Sequence, residues 1–203
     1  MRQFFKAGAT PQEKLVGVNN KFGNTGVKSQ QGTSRIIYDT LVIPSTGQST
    51  FKFFEDSSSR AFPLTNTGSD GNKLGVGDTM VIQSLLFTIW RNGGNTGTAW
   101  IQDAVFSANV ANSLAYINIE IANNQVVKKL TLGEANGFYS KDTDPDNGVI
   151  DFETQIVIPP LLPFTVELVL PAPLATQVPV AGLQYIQCQI IGTGGIIAPR
   201  TTF

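Results

Sequence analysis

The sequence predicts an all-β chain: an antiparallel two-sheet sandwich of jelly-roll type, with about eight to nine strands and an extended N-terminal arm. Three observations predict it. Strand-like runs separated by turn chemistry follow one another through most of the chain. Pro159, Pro160, Pro163, Pro171, Pro173 and Pro179 forbid helix across 159–180 and favour short strands. The first 35 residues hold Gly8, Gly17, Gly23, Gly26 and Gly32 and never sustain an apolar period, which reads as an arm. The predicted organisation is a basic arm at 1–35, a sandwich at 36–192 and a tail at 193–203.

Within the arm, the aromatic pair Phe4-Phe5 suits an anchor on another subunit. The β-branched run Arg35–Ile43 stops at Pro44, where Pro44-Ser-Thr-Gly47 supplies a turn. Ser49–Phe54 follows as a second strand. A polar, glycine-rich stretch then runs from Glu55 to Asp78, with Arg60-Ala-Phe-Pro-Leu64 as a short strand or packing element. Thr79–Trp90 is the longest strand candidate, closed by the loop at Asn92–Gly97. The Ala- and Val-rich segment Gln102–Ala111 admits one short helix.

Ser113–Ile121 and Gln125–Leu132 flank Ala122-Asn-Asn124, the strongest hairpin signal in the chain, because Asn tolerates the left-handed backbone of tight turns. Gly148–Phe152, Thr154–Ile158, Phe164–Leu170 and Leu183–Gly192 complete the set. In Phe164–Leu170, residues Phe164, Val166, Leu168 and Leu170 share one face and Thr165, Glu167 and Val169 the other, a half-buried alternation. No internal repeat argues for a propeller or solenoid. An eight-stranded lectin-like sandwich is the competing architecture.

Charge separates the chain into two parts. The arm carries Arg2, Lys6, Lys14, Lys21, Lys28 and Arg35 against Glu13 alone, a net of +5. The remaining residues carry 8 cations and 14 anions, a net of −6, which leaves the whole chain at −1. Charged residues make up only 14% of the chain, against roughly 25% in an average soluble protein. So few surface charges defend poorly against association and favour a surface covered by neighbours.

There is no histidine, so the usual general base, the commonest metal ligand and the Ser-His and Cys-His pairs are all missing. The single cysteine, Cys188, excludes an intrachain disulfide and reads as a small buried side chain in a strand. Neither an export signal nor a run of about 18 apolar residues is visible.

Two local patterns invite chemistry. In Asp142-Thr-Asp-Pro-Asp-Asn-Gly148, three carboxylates alternate at Asp142, Asp144 and Asp146, with Glu153 at the twelfth position. The spacing resembles a calcium loop, although its glycine falls one place late and Pro145 restricts it. The same residues form good turn chemistry, and both readings stand. Trp90 and Trp100 flank a glycine-rich loop and suit either a core or interface position or a stacking platform for sugar rings. The Gly-rich stretches, Gly192–Gly195 among them, lack the Lys-Ser/Thr ending of a phosphate loop and read as loops. The Glu55-Asp56 pair lacks the separation that glycoside hydrolysis needs. No catalytic, cofactor-binding or metal residue is therefore assigned, and no enzyme activity is expected.

The Arg35–Gly192 body with its arm resembles the single jelly-roll capsid proteins of small icosahedral viruses and is similar to virion proteins of tailless bacteriophages. The likeness lies in architecture, low charge, lack of His and long Gly/Asn/Ser loops, and in no diagnostic motif. It implies a self-assembling shell subunit, major or minor, located in the virion after assembly in the host cytoplasm. Its partners would be many copies of itself and other virion proteins, with the arm and the tail bridging subunits. Ile196, Ile197 and Phe203 would be the tail's anchors. Weak contact of the basic arm with packaged nucleic acid fits its charge. The competing expectation is a carbohydrate-binding or adhesin-like sandwich.

Overall fold

A computed structural model describes residues 30–67, 71–92, 100–105, 114–132, 149–175 and 183–197. Among them are nine strands and a single 3-10 turn at Ser57–Ser59. In chain order the strands are β1 (Gln30–Val42), β2 (Gln48–Phe53), β3 (Asp78–Asn92), β4 (Trp100–Val105), β5 (Tyr116–Ile121), β6 (Asn124–Thr131), β7 (Val149–Ile158), β8 (Phe164–Leu174) and β9 (Gln184–Ile197).

They form two antiparallel sheets. One is ordered β1-β9-β3-β4, with β7 pairing the first half of β3 and β4 the second half. The other is ordered β2-β8-β5-β6. With β4 set aside as an excursion from β3, the pairings nest. β5 pairs β6, β3 pairs β7, β2 pairs β8 and β1 pairs β9. The chain is thus one long hairpin folded over on itself, each outer pair enclosing the next.

The core lies between the sheets. Ile37, Met80, Ile82, Leu85, Phe87, Ile186, Cys188 and Ile190 face inward from one sheet, and Phe51, Phe53, Ile117, Ile119, Phe164, Val166 and Leu168 from the other. The Phe53 and Phe87 rings meet across the gap at 5.7 Å, tilted by 50°, in the range where aromatic pairs attract. β8 alternates buried and half-buried residues through Leu170, as its sequence predicts. The β5–β6 hairpin turns on Ala122 and Asn123, both at positive φ (50° and 65°), the backbone of a primed two-residue turn.

Several expectations are corrected. Residues 102–105 belong to β4, not to a helix, because β3 offers them a ladder from Thr88 to Asn92. Val149–Phe152 and Thr154–Ile158, expected as two strands, fall in one strand, β7, whose pairing with β3 skips residues 152–155. β8 continues through Pro171 and Pro173. β1 opens at Gln30 and β9 closes at Ile197, so the sheet takes in residues assigned from sequence to the arm and the tail.

Gly192–Gly195 are therefore strand residues, and steric need explains two of them. A Cβ on Gly192 would lie 1.9 Å from the Val81 carbonyl oxygen, beside the bulge where Gln83 is the extra residue of β3. A Cβ on Gly194 would meet the aliphatic stem of Arg35 at 2.7 Å. Arg35 itself reaches Asp78 at 3.0 Å.

Candidate functional site

β1 is the outer strand of its sheet, and its exposed edge is where a charged cluster and a structured loop meet. Asp39, paired in register with Cys188, is fully buried. Arg60 reaches it from the β2–β3 connection as a two-pronged donor, Nε to Oδ1 at 2.9 Å and Nη2 to Oδ2 at 2.6 Å. The Phe54 amide donates to Oδ2 at 2.6 Å and the Thr40 amide to Oδ1 at 3.1 Å. One carboxylate thus ties β1 to the end of β2 in the opposite sheet, with all its bonds charge-assisted.

The same connection then runs along β1. Asn66 acts as a substitute strand: its Oδ1 accepts from the Tyr38 amide at 2.7 Å and its Nδ2 donates to the Ile36 carbonyl at 2.8 Å. The Thr65 hydroxyl donates to the Tyr38 carbonyl at 3.0 Å. These bonds occupy the edge groups that would otherwise template pairing with another chain. Between the two anchor points the chain carries Phe62 outward, 80% exposed. Arg60–Leu64 is therefore a pinned turn rather than a strand, with Arg60 and Leu64 half-buried at its ends and Ala61, Phe62 and Pro63 exposed between them.

A second feature is a polar groove of about 410 Å³ on the outer face of the four-stranded sheet. Lys52, Glu55, Asn118, Glu120, Gln125 and Glu167 line it. Lys52, Glu167 and Asn118 form a cross-strand row, in which Asn118 Nδ2 donates to Glu167 Oε2 at 2.6 Å. The Asn118 Oδ1 accepts the Lys129 amide at 2.8 Å, filling the bulge where Lys129 sits at φ 49°. Lys52 pairs with Glu55 at 3.7 Å, both half exposed, a contact of little energetic weight. Such a surface can exchange hydrogen bonds with hydroxyl groups or cations. It offers no histidine, and no aromatic face among its lining residues except the buried Phe164.

The residues singled out from sequence do not converge. Asp142, Asp144 and Asp146 lie outside the described residues, as does the Glu153 side chain. Among the described residues no group of three or more His, Cys, Asp or Glu could hold a metal. Trp90 is half-buried and donates its indole N–H to Thr88 Oγ1 at 2.7 Å, on the sheet opposite the polar groove. The Trp100 backbone pairs with Asn92, but its side chain lies outside the described set. Residues 1–29, with the Phe4-Phe5 pair, and residues 198–203 are likewise outside it.

Cys188 is buried as expected. Burial pushes its thiol well above the ordinary value, and the charge of Asp39 adds to the shift. No helix among the described residues is long and apolar enough to cross a membrane.

Sequence reasoning missed Asp39, Arg60 and Phe62. A signal for the first existed: Asp39 interrupts an otherwise apolar run, Ile36-Ile-Tyr-Asp-Thr-Leu-Val-Ile43, where a charge survives only if a partner comes to meet it. In comparison with known proteins, the chain matches no family model and no curated sequence.

Proposed function

We propose that this chain is a structural virion protein, a jelly-roll subunit that assembles in many copies into an icosahedral shell as a major or minor capsid component. The nested strand order carries the reading. Eight of the nine strands pair outermost with outermost and innermost with innermost, and they sort into sheets β1-β9-β3-β7 and β2-β8-β5-β6, an order that supports the jelly-roll reading. A fold alone does not assign a function. Two further properties favour assembly: the low charge of the whole chain and the basic character of its first 35 residues. The proposed location is the virion, assembled in the host cytoplasm, and the likeness is greatest to tailless bacteriophages.

In this reading binding energy comes from buried interface repeated by symmetry, without catalysis or a cofactor. Residues 1–29 can span about 95 Å if extended. A body of this size has a radius of gyration of about 15 Å, so a segment of that length would suffice to reach a neighbouring copy. Its cations also suit contact with packaged nucleic acid.

Truncation of residues 1–29 tests the role of the arm: it should change the size or yield of particles seen by negative-stain imaging. If the arm binds nucleic acid, the slope of log affinity against log salt should flatten in the truncated chain. Unchanged particles and a salt-independent affinity would remove the arm from the account.

The polar groove favours a second reading, a carbohydrate-binding or adhesin-like module, because its amides and carboxylates are suited to sugar hydroxyls. That protein should stay monodisperse and bind glycans on an array, and Glu167→Ala should weaken the binding.

A further inference from the structure

We infer that residues 54–67 are an edge guard: they cover the outer edge of β1 and keep that strand from pairing with β1 of a second copy of this chain. A chain that stays single needs this protection as much as one that assembles.

Among the described residues, the strands that end the two sheets differ in how well they resist pairing. β2 and β4 have six residues each. β6 carries Lys128 and Lys129, and its register against β5 is broken by bulges. β7 loses its pairing with β3 at 152–155. Short strands, lysines and bulges all discourage the addition of another strand. β1 has none of these features. It runs for 13 residues, pairs β9 without a register shift, and holds neither lysine nor proline. Its two charges are engaged within the molecule, Arg35 with Asp78 and Asp39 with Arg60. Residues 36–43 are mostly β-branched or aromatic, the composition of a strand that pairs readily when bare.

The guard is fitted to this edge. Alternate residues of a strand turn their backbone groups to opposite neighbours. Ile43 turns its amide to the Gln184 carbonyl, on the side of β9. Ile36, Tyr38 and Thr40 turn theirs the other way, and these are the groups that are closed. Asn66 takes the Ile36 carbonyl and the Tyr38 amide, and the Thr65 hydroxyl takes the Tyr38 carbonyl. The Thr40 amide is closed by Asp39 Oδ1. The Thr65 hydroxyl is itself steadied by Thr67 Oγ1 at 3.0 Å.

The latch is the pair of Asp39 and Arg60. Asp39 is fully buried and also accepts the Phe54 amide, so one carboxylate holds both the start and the middle of the connection. Lifting the guard would carry Arg60 away and strand that charge. The guard therefore stays closed while the sandwich is folded.

The test uses the full chain with Asn66→Ala and Thr65→Val, which removes the side-chain bonds and keeps the size of the buried Thr65. Thermal melting confirms that the variant is folded. Asn66→Ala alone, at an exposed position, carries the same comparison if the double variant does not fold. Exchange of the Tyr38 amide should quicken about tenfold, as the loss of one hydrogen bond implies, while the amides of β9 stay as protected as in the wild type. The lag before fibrous aggregates appear in electron micrographs should shorten. Adding Ile36→Lys, a cation on the bare edge, should restore the wild-type lag without restoring slow exchange. A chain that is merely destabilised gains nothing from that lysine. Unchanged exchange at Tyr38, a wild-type lag despite fast exchange, or aggregation that Ile36→Lys leaves in place would each overturn the guard. Closed particles formed by the wild type, or their absence, bear on the assembly reading alone.

Discussion

Arg60 neutralises a carboxylate that the fold has walled off from water. Removing one partner of a buried pair leaves the other uncompensated, which typically costs about 3–5 kcal/mol. Arg60→Ala should therefore lower stability by about that amount in urea unfolding, and Arg60→Lys should recover only part of it, because an ammonium cannot supply both prongs. A loss below about 1 kcal/mol would show that Asp39 is satisfied by the Phe54 and Thr40 amides alone.

Cys188 gives a second residue-scale prediction, on pH. Its thiol is held above the ordinary value of 9.0 by burial and then by Asp39, so the unfolded chain gives up that proton first. A pKa raised by folding contributes stability that is complete below the unfolded value and is lost as pH rises toward the folded one. Stability should fall above about pH 9, and Cys188→Ala should flatten the fall. Burial also raises Tyr38 and Tyr185, which extend the loss above pH 10. An alkaline limb identical in Cys188→Ala would contradict the assignment.

At the scale of elements, backbone conformation and close approach decide more than hydrophobicity does. Ala122 occupies the left-handed region in the β5–β6 turn, where a Cβ costs about 1–2 kcal/mol. Ala122→Gly should stabilise the protein by about 0.5–1 kcal/mol after the added freedom of the unfolded chain is subtracted. Gly192→Ala should do the reverse and cost at least about 3 kcal/mol, the upper part of the overpacking range, because the atom it meets is the Val81 backbone. Equal melting temperatures for wild type and Gly192→Ala would mean that the bulge in β3 yields easily.

These elements also show what sequence can and cannot reveal. The alternation in β8 and the turn at Ala122-Asn123 were legible because their signals are local. Gly192–Gly195 read as a loop because the need for glycine comes from Val81 and Arg35, remote in sequence. β4 was missed because its composition is neutral and only pairing with β3 makes it a strand. Arg60 and Phe62 looked like part of a packed segment because the anchor, Asp39, lies across the sandwich corner. Of the candidate metal positions, Asp142, Asp144 and Asp146 fall outside the described residues.

At the scale of the whole molecule, the chain joins two parts unlike in charge: residues 1–29 with a net charge of +4, and residues 30–203, which hold the two sheets, with a net charge of −5. Attraction between the basic segment of one copy and the acidic body of the next is screened over about 8–10 Å at physiological salt, so it can steer assembly but not hold it. In the proposed shell the holding contacts would therefore be apolar. Raising salt should therefore slow the growth of particles more than it dissolves particles already formed, as time-resolved scattering would show. Rapid dissolution of finished particles at high salt would place the holding energy in charge instead.

The most direct test of shell assembly is the mass distribution of the purified chain by light scattering, from low to high concentration. The account predicts a discrete, closed population of many copies above a threshold concentration. A mass of 21.8 kDa at every concentration would contradict it.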